Sequence, residues 1–112
     1  MALDIVETMN VVEDLPQTEE IDEVQSRTGY LPLYRIIMWD DAVTTMEFVV
    51  RVLIKIFGKD FERAERLMYE VHHSGSAHVV TLPLEPAEFK VQQVHSAAQL
   101  EGFPFRCTIE SL

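Results

Sequence analysis

The chain of 112 residues contains little of several features on which whole classes of protein depend. Its one cysteine, Cys107, excludes a disulfide framework and a cysteine-based zinc site, and it fits a reducing compartment. Its four glycines do not form a glycine-rich phosphate loop. Basic residues are few, nine against nineteen acidic ones, and the formal charge of −10 disfavours nucleic acid and anionic lipid as partners.

Long apolar runs are missing as well. Asp4 and Glu7 stand where a secretory signal would be basic, and no long apolar segment follows them. The longest apolar stretches are interrupted by Arg51 and Lys55, so we expect no membrane-spanning helix. We therefore expect a cytoplasmic protein, and the chain length predicts one small domain.

The first 30 residues form an acidic segment with eight carboxylates, one basic residue (Arg27) and a net charge of −7. Its scattered apolar residues cannot bury enough surface to offset the entropy of ordering the chain. We predict a flexible, disordered N-terminal extension over residues 1–30 and a folded core domain over residues 31–112. A segment that only increases solubility is the alternative interpretation.

The rest of the chain has the patterns of three strands and three helices. Apolar stretches predict strands over residues 34–39 and 77–82, and alternation predicts a third over residues 105–110. The first predicted helix begins with a Thr44–Glu47 capping box and stops at Gly58. The second has its N-cap at Asp60 and its C-cap at Gly75. The third has Pro86 at its first helical position and stops at Gly102. The apolar stripe of the second helix includes Phe61, Ala64, Met68 and Val71. The order β-α-α-β-α-β predicts an α+β fold with three helices on one face of a three-stranded antiparallel sheet.

Two adjacent carboxylates, Asp40 and Asp41, follow the first predicted strand directly. One interpretation is that they face solvent at a strand end. The other is a site for a cation, because they precede a helix that carries Met46 and Val49. The free N–H groups of a helix N-terminus attract negative charge. A carboxylate near that end that is not used by these N–H groups would be available to bind a positive group. The residues by themselves leave both interpretations open.

The histidines and serines do not have the spacing of a known catalytic centre. No two histidines stand four residues apart on one helix, and no HExxH pattern occurs. His72 and His73 end the predicted second helix, where the helix dipole also favours them. The serines beside Gly75 lack the G-x-S-x-G spacing of a nucleophile elbow, and Cys107 is expected in the core. A hydrolase or metal enzyme is therefore the least favoured interpretation.

The methionines also allow two interpretations. Met38, Met46 and Met68 lie on a predicted strand and two predicted helices, where they either fill the core or line an adaptable apolar pocket. Beside the two adjacent carboxylates and His72, such a pocket would bind a group with a cationic head and a bulky apolar body.

Three longer motifs are more specific than these patterns. They are D-D-x-x-T-x-M-E-F-V-V from Asp40, L-M-x-x-V-H ending at His72 and P-x-x-C-T-x-E from Pro104. Together they resemble the ClpS adaptor family, and the resemblance runs from about Tyr34 to the C-terminus. It implies a protein without catalytic activity or cofactor that binds N-degrons, the free N-termini of proteins beginning with Leu, Phe, Tyr or Trp. Such an adaptor delivers these substrates to a Clp-type AAA+ unfoldase, which feeds a peptidase.

The resemblance also implies roles for individual residues. Asp40, Asp41 and His72 would hold the substrate α-amino group, which is largely charged at neutral pH. Glu85 and Lys90 would contact the N-terminal domain of an unfoldase of the ClpA or ClpC type. The acidic extension matches the segment that the family uses during delivery. The hydrophobic pocket for the first side chain would be lined or gated by Met38, Thr44, Met46, Val49, Met68, Val71 and Phe105.

Four positions depart from the pattern common in the family. Asp40 replaces Asn, which removes a hydrogen-bond donor and adds negative charge. Thr45 replaces Pro, Ala42 replaces an acidic residue and Phe105 replaces the smaller Leu. We expect these changes to make the pocket shallower and to shift its preference among first residues. The alternative function is a regulator that docks on the unfoldase and modulates substrate choice without binding N-degrons.

Overall fold

Three antiparallel strands form the sheet on which the helices pack. A computed structural model describes residues 31–112, in which strand β1 spans Leu33–Trp39, β2 spans Ser76–Pro83 and β3 spans Arg106–Ser111. Strand β1 lies in the centre and pairs with both neighbours. Its pairing with β2 shifts register between Ile36 and Ile37. The central position of β1 places its C-terminal end, and the residues after it, between the two edge strands.

Three helices cover one face of this sheet: α1 (Met46–Lys55), α2 (Phe61–Ser74) and α3 (Leu84–Glu101). Helices α1 and α2 pack on each other, α2 lies against β2, and α3 contacts all three strands. The element order and the two layers confirm the fold predicted from the sequence. The predicted acidic extension, residues 1–30, lies outside the described residues. In residues 31–112 no helix is both long and apolar enough to cross a membrane.

The core lies between the sheet and the helices. Ile36 and Met38 on β1 have no exposed surface, and Phe48 on α1 is almost as deeply buried. Because side chains alternate along a strand, Trp39 points away from the core. Its indole Nε1 donates a hydrogen bond to Oγ1 of Thr108 (2.8 Å). The end of β1 is therefore held on one face of the sheet by the buried Met38 and on the other face by the hydrogen bond of Trp39.

The N-cap of α1 is Thr45, so the prediction of Thr44 is wrong by one residue. Oγ1 of Thr45 accepts a hydrogen bond from the backbone N–H of Phe48 (3.2 Å). The Thr44 side chain is instead directed towards the loop before the helix, where its hydroxyl donates to Oδ2 of Asp41 (2.8 Å). The capping-box pattern cannot anticipate this competing carboxylate, which lies three residues earlier in the chain.

Helix α3 begins at Leu84, two residues before the predicted position. Pro83 is its N-cap and makes no side-chain capping bond, so Pro86 is the third helical residue rather than the first. Proline is tolerated there because the N–H groups of the first turn have no partner within the helix.

The helix ends predicted at Asp60, Gly75 and Gly102 agree with the structure, whereas the stop predicted at Gly58 does not. Oδ1 of Asp60 accepts a hydrogen bond from the N–H of Arg63 (2.7 Å) and caps α2. Gly75 and Gly102 end α2 and α3 in the left-handed region, with φ of 93° and 77°. Helix α1 ends at Lys55, three residues before Gly58.

Phe61 is not part of the buried stripe of α2, although its spacing predicts this. It is 61% exposed, whereas Ala64, Met68 and Val71 are buried as predicted. Phe61 is the first residue of the helix, directly after the N-cap Asp60. Helical spacing defines a direction around the helix axis, but it does not show where along that axis the core ends.

Candidate functional site

A cavity of about 210 Å³ lies where the loop after β1 meets the start of α1 and the end of α2. The loop contributes its carboxylates, α1 and α2 contribute apolar side chains, and the end of α2 contributes an imidazole. The lining residues are Asp40, Asp41, Ala42, Thr44, Met46, Val49, Met68, Val71 and His72. The cavity thus joins a polar group of side chains to an apolar wall.

Asp41 is held in place by its own loop. Its Oδ1 accepts hydrogen bonds from the backbone N–H groups of Val43 (2.8 Å) and Thr44 (2.7 Å), and its Oδ2 accepts one from the Thr44 hydroxyl (2.8 Å). Burial raises the pKa of this carboxyl, but the hydrogen bonds from Thr44 and Val43 lower it by more, so the net pKa lies below its usual value. The loop therefore favours a fixed negative charge beside the cavity.

Asp40 and His72 form the second polar pair. Nδ1 of His72 lies 3.8 Å from Oδ1 of Asp40, and both side chains are partly exposed. The Asp40 backbone N–H donates to the carbonyl oxygen of Gly75 (2.9 Å), the residue that caps α2. This bond ties the end of β1 to the end of α2. At 3.8 Å the two side-chain atoms are too far apart for a hydrogen bond, so a third group can contact both of them.

The apolar wall combines one exposed and three buried side chains. Met46, at the start of α1, is 41% exposed, whereas Val49, Met68 and Val71 are buried. Thioether side chains adapt to ligands of different shape because they are flexible and polarisable. An apolar wall with a few convergent polar groups is typical of small-ligand sites.

Eight of the ten residues predicted for the recognition site line this cavity. Met38 and Phe105 do not; they are 0% and 3% exposed and belong to the core. The Phe105 ring packs edge-on against the ring of Phe48, with centroids 6.0 Å apart. Ala42 lines the cavity although it was not among the predicted lining residues. Two signals point to it: its place in the loop between two predicted lining residues, and its departure from the family pattern.

The two residues predicted to contact the unfoldase both lie on α3 and do not line the cavity. Glu85 is exposed in the first turn. Lys90 is half-buried, and its Nζ donates to the carbonyl oxygen of Ile56 (2.9 Å), the C-cap of α1. Lys90 therefore joins α3 to the end of α1, whereas Glu85 is open to a partner.

Two reactive side chains outside the cavity, His95 and Cys107, are occupied or buried. Nε2 of His95 accepts a hydrogen bond from the backbone N–H of Cys107 (3.0 Å). Burial raises the pKa of the Cys107 thiol to about 12, so its nucleophilic thiolate form is scarce near neutral pH. In the part of the chain that the structure describes, no three His, Cys, Asp or Glu side chains are grouped to hold a metal ion.

Comparison with known proteins assigns the family. The family model described as ATP-dependent Clp protease adaptor protein ClpS matches residues 30–108. The chain belongs to the ClpS family. The match includes all three helices and every residue that lines the cavity. The motifs around Asp40, His72 and Cys107 thus identify the family correctly.

Individual ClpS proteins are similar over most of their length. ATP-dependent Clp protease adapter protein ClpS of Desulforapulum autotrophicum is 42% identical over 88 residues, which cover 79% of this chain and 85% of that protein. ClpS 2 of Bradyrhizobium diazoefficiens is 41% identical over 95 residues, covering 85% and 86%. The structure of Agrobacterium tumefaciens ClpS2 bound to L-phenylalaninamide matches with a TM-score of 0.71 and 32% identity, covering 72% of this chain and 98% of that one. Sequence and fold therefore agree on a ClpS adaptor.

Proposed function

We propose that this ClpS-family protein binds the free α-amino group and the bulky hydrophobic first residue of N-degron substrates, and delivers them to a Clp AAA+ unfoldase. The observation that carries the proposal is one cavity that combines two carboxylates and an imidazole with an apolar wall. A. tumefaciens ClpS2 binds L-phenylalaninamide. This compound has the free α-amino group and side chain of an N-terminal Phe, so it supports the same ligand class here.

The polar side chains suit an ammonium group. An α-amino group has a pKa of about 7.7–8.0 and is mostly charged at neutral pH, with three N–H donors. Asp40 and neutral His72 accept hydrogen bonds from it, and the negative charge of Asp40 strengthens the contact. Asp41 already accepts three hydrogen bonds from its loop. Its part is therefore to add negative charge and to hold the loop in shape.

The apolar wall suits a large side chain. An aromatic side chain buries about 150–250 Å², which corresponds to roughly 4–6 kcal/mol at about 25 cal/mol per Å², before the costs of association. A Gly or Ala at the first position would lose most of this gain. The adaptor itself catalyses no reaction, because selection needs only the charged group and the side chain together.

The test compares two fluorescent peptides that begin with Phe, one with a free N-terminus and one acetylated, by fluorescence anisotropy. We expect acetylation to weaken binding at least about tenfold, or about 1.4 kcal/mol, because it removes the charge and two donors. His72→Ala should weaken binding of the free peptide. His73→Ala is the matched control, because His73 neighbours it on α2 but does not line the cavity. Equal affinity for both peptides would contradict the proposed mechanism.

Docking on the unfoldase is tested separately, with its isolated N-terminal domain. Glu85→Ala should weaken binding to a ClpA-type or ClpC-type domain and leave peptide affinity unchanged. Glu88→Ala is the control, since it removes an exposed carboxylate from the same helix. Lys90 is less informative because its loss also breaks the contact with Ile56. Docking without any peptide binding would instead support the regulator that binds no N-degron.

A further inference from the structure

A second and larger depression, the seam groove, follows the contact between α1 and α2. It has a volume of about 450 Å³, and Val50, Ile54, Phe61 and Tyr69 are among its lining residues. Met46, Val50 and Ile54 stand four residues apart and therefore form one stripe along α1. Phe61 and Tyr69 are 61% and 44% exposed. The seam groove is thus an apolar surface that the described residues leave open to a ligand.

The seam groove and the recognition cavity meet at two methionines. Met46 and Met68 line both of them. Met46 is the first residue of α1, and the groove continues from there to Ile54 near the end of that helix. On α2 it extends back from Met68 to Phe61, the first residue. The groove therefore leads away from the cavity along the whole helix pair.

We propose that the seam groove binds the residues that follow the first residue of an N-degron. This inference rests on the proposed function, because the occupant is the polypeptide anchored in the cavity. Helix α1 has ten residues and is about 15 Å long, which an extended peptide spans in about four or five residues. Apolar side chains at about the third to fifth substrate positions fit the stripe along α1.

The charges around the groove favour this occupant. Two acidic residues, Glu47 and Glu65, and two basic ones, Arg51 and Lys55, line it. Arg51 is already paired with Glu101, whose carboxylate oxygens lie 2.8 and 3.0 Å from Nη2. With Arg51 paired to Glu101, the rim keeps two acidic residues and one basic residue that is unpaired within the described part of the chain. This rim around an apolar centre suits a polypeptide with apolar side chains and little negative charge. It suits the strongly acidic residues 1–30 of this chain much less, because their net charge is −7.

The test measures affinity for L-phenylalaninamide and for peptides of about two to six residues that begin with Phe. One series continues with Leu and Val, and the other with Gly and Ser. We expect affinity to rise about tenfold with length in the apolar series, or about 1.4 kcal/mol, and to stay level in the polar series. Phe61→Ala should abolish most of the rise while leaving phenylalaninamide binding unchanged.

Phe89→Ala is the matched control, because Phe89 is a 62% exposed phenylalanine on α3 that does not line the groove. It should keep the full dependence on length. Equal affinity at every length, or the same loss for Phe61→Ala and Phe89→Ala, would overturn the inference about the groove alone. Absence of phenylalaninamide binding to the unmodified protein would contradict the proposed function and, with it, this extension.

Discussion

Nδ1 of His72 lies 3.8 Å from Oδ1 of Asp40, although one residue ends a helix and the other follows a strand. The backbone bond from Asp40 to Gly75 holds the two elements at this separation. A hydrogen bond between them would use Nδ1 of His72, and a much larger separation would prevent one bound group from contacting both side chains. The observed geometry leaves an acceptor on each side of a site for an ammonium group.

Asp40 should make substrate binding sensitive to salt. Raising the ionic strength from about 0.05 M to about 0.5 M shortens the screening length and weakens attraction between exposed charges. We expect a peptide with a free N-terminal Phe to lose affinity severalfold in the unmodified protein and clearly less in Asp40→Asn. Asp41 still carries its charge in this variant, so part of the salt dependence should persist.

The control for this measurement is Glu110→Gln, which removes an exposed carboxylate from β3, away from the cavity lining. It should keep the salt dependence of the unmodified protein. An unchanged salt dependence in Asp40→Asn would mean that the Asp40 carboxylate does not contact the ammonium group.

The Asp41 carboxylate should stabilise the folded protein to an extent that depends on pH. Its pKa is lower in the folded protein than its ordinary value, so its stabilising effect is present above the unfolded pKa of about 3.9. This effect is lost as the pH falls through the folded pKa. We expect Asp41→Ala to lower the free energy of unfolding by about 1 kcal/mol at pH 7, since the group is solvent-screened. The difference should shrink below about pH 4 in denaturant titrations.

The source of that pKa shift can be tested at Thr44. Thr44→Val removes the hydroxyl donor to Asp41, so the Asp41 pKa should rise in a carbon NMR titration. Thr45→Val is the control, because that hydroxyl accepts from Phe48 and caps α1. It should cost stability, typically about 1 kcal/mol for a lost N-cap, without moving the Asp41 pKa. A raised Asp41 pKa in Thr45→Val, together with a loss of stability and no pKa change in Thr44→Val, would mean that Thr44 caps α1.

Substrate binding should weaken in mildly alkaline solution. The α-amino group of a peptide loses its proton above about pH 8 and with it the attraction to the carboxylates. The expected loss between about pH 7 and 9.5 can be followed by the fluorescence anisotropy of a labelled peptide that begins with Phe. Flat affinity over this range would exclude recognition of the charged amine.

Cys107 should resist thiol reagents while the protein is folded. Its thiol is buried and has a pKa of about 12, so the reactive thiolate is scarce near pH 8. We expect slow modification by a disulfide reagent in buffer and rapid modification in denaturant, followed by absorbance of the released thiol. Fast labelling of the native protein would show that β3 opens from the sheet.

Local patterns were sufficient for the type and order of the elements. Alternating and helical periodicity reflect how side chains project from a strand or a helix, and this depends only on nearby residues. The caps at Asp60, Gly75 and Gly102 are predictable for the same reason. Thr44 is an exception, since its hydroxyl bonds the Asp41 carboxylate, and the ends predicted from Pro86 and Gly58 are wrong by two and three residues. Whether a patterned residue is covered depends on distant parts of the chain, as the exposed Phe61 shows.

The sequence by itself determined the α+β element order through periodicity and the ClpS family through continuous motifs, and the resemblance to that family implied most of the residues that line the cavity. The local pattern left open whether Asp40 and Asp41 face solvent or a cation site, and only the family resemblance assigned them, with His72, to an ammonium group. Only the tertiary structure showed the 3.8 Å separation of His72 and Asp40, placed Met38 in the core and joined the cavity to the seam groove. These relationships depend on how two helices pack against each other and against one strand, and no local pattern contains that information.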